Sequence, residues 1–125
     1  MFTSLLSVAA GGAIGASLRF LSGIGIARIW GGSFPLGVLS VNVLGSFLMG
    51  VFVVVAAERG LTYLGPFVMT GLLGGFTTFS AFSLETVTLF ERGEPVQAMA
   101  YVIFSILGSI AALALGILLS RGVLS

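Results

Sequence analysis

Gly74-Gly75-Phe76-Thr77-Thr78-Phe79-Ser80-Ala81-Phe82-Ser83 lies in the middle of an apolar stretch long enough to cross a membrane. A glycine pair followed by two threonines is a poor continuation of a helix. In hydrocarbon, a broken helix frees carbonyls and amides that no water can satisfy. Such breaks are tolerated mainly where protein buries them or where they line an ion site. The stretch therefore predicts a membrane protein that handles ions.

The composition points the same way. Of 125 residues, 58% are hydrophobic and only 7% are charged, whereas a soluble domain carries about 25% charged residues. Five arginines and four glutamates cannot clothe a water-soluble surface of this size, and a net charge of +1 offers nothing to nucleic acid. The chain has no histidine and no cysteine. That removes the usual transition-metal ligands, thiol nucleophiles, disulfides and the commonest general base. No nucleophile–base pair is evident, so the chain is not expected to be an enzyme. Its start lacks the basic lead-in and polar cleavage region of a signal peptide, and the first apolar stretch is expected to remain as a span.

A membrane helix needs about 20 apolar residues at about 1.5 Å rise each. Four spans are predicted: Leu5 to Ile26, Leu36 to Ala57, Thr62 to Phe90 and Val96 to Leu119. They make residues 1–125 a single all-α, four-helix membrane domain with no repeat or linker. The third span, at about 29 residues, would reach roughly 43 Å as a straight helix against a hydrocarbon core of about 30 Å. A break at its glycines and threonines accounts for the excess better than tilt does. Small residues recur four apart at Gly11 and Gly15, Gly12 and Ala16, Ser46 and Gly50, Gly71 and Gly75, and Gly108, Ala112 and Gly116. This spacing lets helices approach closely in lipid.

Lysine is absent, so orientation rests on arginine. Both termini and the middle loop share one side, which holds Arg59 and Arg121; Arg28 and Arg92 lie on the other, with Arg19 nearer to it. That near balance leaves the positive-inside rule almost nothing to act on. Insertion in both orientations is expected, giving an antiparallel, dual-topology homodimer. Pairing also supplies a protein partner for polar groups that a small bundle cannot enclose alone.

Several polar residues sit at membrane depth. Asn42 in the second span either donates its amide to a dehydrated anion or bonds a neighbouring helix. Tyr101, Ser105 and Ser109 fall at i, i+4 and i+8 on one face of the fourth span. Their hydroxyls either pass a small ion along or bond back to their own helix. Phe79 and Phe82 either pack or turn their electropositive ring edges toward an anion, with Ser80 and Ser83 beside them. Arg19 either snorkels or concentrates anions at a vestibule, and Glu85 either snorkels, pairs with an arginine or organises hydroxyls. At the break, freed carbonyls either cage a hard monovalent cation between two copies or are relieved by Thr77 and Thr78.

Three motifs carry a resemblance. They are Gly11 to Phe20 (Gly-Gly-Ala-Ile-Gly-Ala-Ser-Leu-Arg-Phe), Val41 to Phe47 (Val-Asn-Val-Leu-Gly-Ser-Phe), and Gly74 to Ser83. Together, over essentially the whole chain, they resemble the small bacterial fluoride channels of the Fluc or CrcB family. The resemblance implies a dual-topology homodimer in the bacterial inner membrane, with two pores that export F− passively and give fluoride resistance. It implies pore roles for Asn42, Phe79, Phe82, Ser80, Tyr101, Ser105 and Ser109, with Phe76 a bystander. It implies vestibule or supporting roles for Arg19 and Glu85. It further implies a central structural Na+ held by the backbone carbonyls of Gly74 and Thr77. Ala81 departs from the pattern, standing where many members carry threonine. The rival readings are a four-helix drug–proton antiporter, which needs an embedded carboxylate and finds only Glu85, and a structural subunit, which needs neither the break nor the aligned hydroxyls.

Overall fold

In a computed structural model, which describes residues 1–32 and 34–124, every regular element is helical. Four segments are long and apolar enough to cross a membrane: Phe2–Trp30, Leu36–Arg59, Thr62–Glu91 and Pro95–Leu124. Each contains the span expected from sequence and runs past it. Helix α1 is Phe2–Trp30 and α2 is Leu36–Arg59. Both end in a left-handed glycine, Gly31 at φ 58° and Gly60 at φ 68°, whose N–H caps Ala27 and Ala56. Only glycine enters that region without a steric penalty.

The third span is assembled from pieces. A 3-10 turn, Thr62–Leu64, leads into a π-helix, Pro66–Leu73, and a single α-turn, α3, Gly74–Phe76. Thr77 (φ −87°, ψ 158°) and Thr78 (φ −153°, ψ 123°) are then extended, and α4 resumes at Phe79–Glu91. The extended residues are the threonines; Gly74 keeps helical dihedrals of −63° and −37°. A left-handed Gly93 turns the chain into α5, Pro95–Leu124.

The glycines serve close approach instead. A Cβ on Gly75 would sit 2.8 Å from the carbonyl of Gly12, and one on Gly71 would sit 2.8 Å from Val8 O and 3.0 Å from Gly11 Cα. From the other side, Gly15 lies against Leu72 and 2.9 Å from Phe76 N by the same measure. So α1 lies along the π-helix and α3 with backbone touching backbone. A second seam joins α2 to α5, where Gly50 backs onto Leu113 and Ile117, and Gly116 onto Phe47 and Val51. Lipid tails give apolar side chains no reason to leave them, so dispersion contact along such seams carries helix association. Gly45 brings α2 against the Thr77 side chain and thereby to the extended pair. The core, formed by Phe82, Leu89, Ala98 and Tyr101, holds α4 to α5.

Candidate functional site

The extended pair at Thr77–Thr78 is held by a side chain from another helix. Asn42 accepts the Thr78 N–H on Oδ1 at 2.7 Å and returns a hydrogen bond from Nδ2 to the Thr78 carbonyl at 3.0 Å. The amide thus replaces both bonds that Thr78 would make in a helix. Because the backbone N–H is a fixed donor, the arrangement also fixes which amide atom is oxygen. The interhelical role weighed for Asn42 is therefore present in the fold. Its second amide hydrogen carries no bond among the described residues, and Asn42 lines the cavity beside the pair.

Neighbouring polar groups divide into those that are satisfied and those that are not. Arg19 donates from Nε to the Gly75 carbonyl at 3.1 Å, so it braces the interruption from α1. Thr77 donates both its hydroxyl and its N–H to Leu73 O, each at 2.9 Å. Thr78 Oγ1 caps α4 by accepting from Ala81 N at 3.1 Å and lies 3.4 Å from Ser80 Oγ. The two hydroxyls thus relieve part of the freed backbone. Among the described residues, the carbonyls of Gly74 and Thr77 accept none of the turn, cap or side-chain hydrogen bonds.

Beside this pair opens a cavity of about 370 Å³ between α2, α4 and α5. Asn42, Thr77, Phe79, Phe82, Ser105 and Ser109 all line it, with Met49 and Ile110 as apolar walls. Phe82 is 9% exposed and Phe79 is 77% exposed, their rings 5.5 Å apart and tilted by 58°. Behind Phe82 stands Tyr101, fully buried, its ring 5.2 Å from Phe82. Phe34 closes the far side, edge-on to Tyr101 at 5.7 Å. Phe34 lies outside the predicted spans, and nothing in its sequence setting singled it out.

The hydroxyls are informative by contrast. Ser17, Ser83, Thr86 and Thr88 each donate to the carbonyl four residues back, at 2.7 to 3.1 Å. This is the ordinary resting place of a helical hydroxyl in hydrocarbon. Ser105 Oγ and Tyr101 Oη are buried with no partner. Of the alternatives considered for that row, back-bonding is not the one Ser105 adopts.

Some predicted residues stand elsewhere. Ser80 is exposed, its hydroxyl 3.4 Å from that of Thr78. Glu85 lines a separate cavity of about 370 Å³, with Trp30, Phe34 and Arg92, toward the end of the bundle. Gly74 is exposed. Among the described residues no group of three acids, histidines or cysteines could hold a metal, so carbonyl oxygens are the ligands this region offers a cation.

The sequence is similar to those of known proteins. The family described as CrcB-like protein, Camphor Resistance (CrcB), matches residues 6–117. A protein of Ruegeria sp. (strain TM1040), named Fluoride-specific ion channel FluC, is 64% identical over 126 residues, covering 100% of each chain. A protein of the same name from Roseobacter denitrificans is 64% identical over 122 residues, 96% of this chain and 97% of its own. Another, from Jannaschia sp. (strain CCS1), is 72% identical over 93 residues, 74% of this chain and 89% of its own.

Proposed function

The chain belongs to the CrcB family, and from that premise we propose that it is a fluoride-selective channel of the bacterial inner membrane that lets F− leave the cell passively. The observation that carries this reading is the convergence in one cavity of Asn42, Phe79, Phe82, Ser105 and Ser109. Fluoride is small and tightly hydrated. A path must replace its water with donors, yet hold it weakly enough to release it. The spare amide hydrogen of Asn42, the Ser105 and Ser109 hydroxyls and the ring edges of Phe79 and Phe82 are neutral donors of that strength. Tyr101, behind Phe82, continues the row. Among the described residues, no full positive charge lines the cavity to trap the ion.

The cavity is open on the side where Phe79 is exposed. A second copy inserted upside down closes it, and the near balance of arginines permits that orientation. The homodimer then carries two such paths, each walled by both copies. We read the interruption at Thr77–Thr78 as the reason the two copies can meet polar backbone to polar backbone. The carbonyls of Gly74 and Thr77, which accept none of the turn, cap or side-chain hydrogen bonds around them, suit a hard monovalent cation: two from each copy would supply four oxygen ligands, the chemistry Na+ accepts. When bound, Na+ would satisfy the lone pairs of those carbonyls, and its positive charge would offset anion charge nearby. Arg19 and Asn42 hold the adjoining Gly75 and Thr78 carbonyls away from it by occupying them. Ser80 and Glu85 take supporting places at the rim and the mouth.

In acid surroundings neutral HF enters a cell and ionises. A potential negative inside then favours anion exit by about 2.3 kcal/mol per 100 mV, so a passive path suffices. The cellular test is expression in a fluoride-sensitive bacterium that lacks an exporter of its own. Growth in millimolar fluoride is expected with the chain and not with Asn42→Leu. Equal sensitivity with and without the chain, at matched membrane expression, argues against the reading. Orientation is tested with a single cysteine placed in the Glu58–Gly60 turn of this cysteine-free chain. An impermeant thiol reagent should label half the copies; labelling of all or none contradicts dual topology.

A further inference from the structure

Gln97 continues the polar row of α5 by one step. It stands four residues before Tyr101, eight before Ser105 and twelve before Ser109, so the four share a slowly turning face about 18 Å long. Three consecutive members, Gln97, Tyr101 and Ser105, each hold a side-chain oxygen sealed from solvent and without a hydrogen-bond partner. One such atom is a local accident. Three at four-residue intervals on one face leave a line of unmet hydrogen-bonding capacity, each of a kind that folded proteins rarely leave open. An amide can turn end for end, so the buried position held by Oε1 is equally open to the NH2 group.

The usual duty of a glutamine three residues into a helix is to reach back to the N–H of the residue before it. That duty is already filled, because Glu94 N–H donates to Leu89 O at 3.0 Å. The Glu94 carboxylate, three residues before Gln97, likewise has an unpartnered oxygen. It is a group that could otherwise claim the amide.

We propose that Gln97 is the outer donor of the α5 row: its amide NH2 takes fluoride from water and hands it to Tyr101, and so contributes to anion binding. This rests on the fluoride-channel reading and extends the path beyond the cavity toward the membrane surface. An amide is suited to the place. It donates without charge, and its two hydrogens let it hold the ion and a neighbouring acceptor at once.

The test uses purified protein in liposomes, with fluoride efflux measured by electrode across a range of internal fluoride. Gln97→Met keeps the side chain's length and removes its donors. It is expected to lower flux about tenfold at low fluoride, the scale of one lost hydrogen bond, and to raise the half-saturating fluoride concentration. Gln97→Asn should recover part of both. If Gln97→Met aggregates, Gln97→Leu is put through the same two readouts. Wild-type flux in the variants overturns the proposal. So does a lowered flux with unchanged half-saturation, the signature of an amide that serves only Glu94 and the helix end. A wild-type protein that passes no fluoride at all defeats the channel reading itself, and this one with it.

Discussion

Along α1, Gly11 and Gly15 bring one backbone against another, and a methyl added at Gly15 would run into Leu72. At the Asn42 cavity, two aromatic rings and a row of hydroxyls surround open space, and buried oxygens go without partners. Both regions use small and polar residues at four-residue spacing. The seam leaves no room for an added Cβ at Gly11, Gly15, Gly71 or Gly75. The cavity leaves room and leaves donors unused. In a membrane, unused donors are costly. The difference teaches that spacing alone identifies neither packing nor transport; what decides is whether the polar groups have already found partners.

Substitutions break that comparison in graded steps. The largest effect is expected at the seam. Gly15→Val forces α1 away from the π-helix, and overpacking of this kind costs about 1–3 kcal/mol or more. The variant should lose its monodisperse peak in gel filtration, whereas Gly23→Ala, at a site with nothing within 4 Å, should elute as wild type. If both behave alike, the seam is not what holds α1. Next is Asn42→Leu, which removes both bonds to Thr78, together worth about 1–3 kcal/mol. Fluoride flux from liposomes should fall by up to about a hundredfold; a folded variant with undiminished flux would separate the extended pair from conduction.

Phe82→Ile and Phe79→Ile are expected to slow flux on the order of tenfold, from loss of the ring edges, while the protein still elutes as wild type. Normal flux in both variants would return the rings to a packing role. The smallest and most discriminating effect lies among the hydroxyls. Ser105→Ala should reduce flux several-fold, the scale of one weak hydrogen bond, because its hydroxyl is uncommitted. Ser17→Ala should change nothing, because that hydroxyl is already bonded to Ala13. Equal effects at both serines would erase the distinction between seam and cavity.

Much of this was legible in the sequence because hydrocarbon is a simple solvent. Four apolar runs of sufficient length specify four spans, and the arginines and glycines between them mark the turns. The polar residues that line the cavity were legible singly, since an asparagine or an aligned set of hydroxyls at membrane depth calls for a partner. What could not be read was which partner each had found. Asn42 and Arg19 both carry donors suited to an anion. In the fold both bond backbone carbonyls beside the extended threonines, a match that depends on how three helices are placed. The glycines of the third span looked like the weak point of a helix. They remain helical because α1 needs their missing side chains, and the extended backbone falls on the threonines, which can cap and bond what they expose. Phe34, a lone ring in a connection, carried no periodic signal, and its contact with Tyr101 arises only from tertiary packing.

The claim beneath all of this is that the cavity passes the smallest halide by replacing its water with weak neutral donors. It is tested most directly by loading liposomes that contain the purified protein with F− and Cl− together and following both as they leave under a potassium-clamped potential. The account predicts rapid, voltage-following loss of F− with Cl− retained; equal loss of the two anions, or fluoride movement that requires a proton gradient, would contradict it.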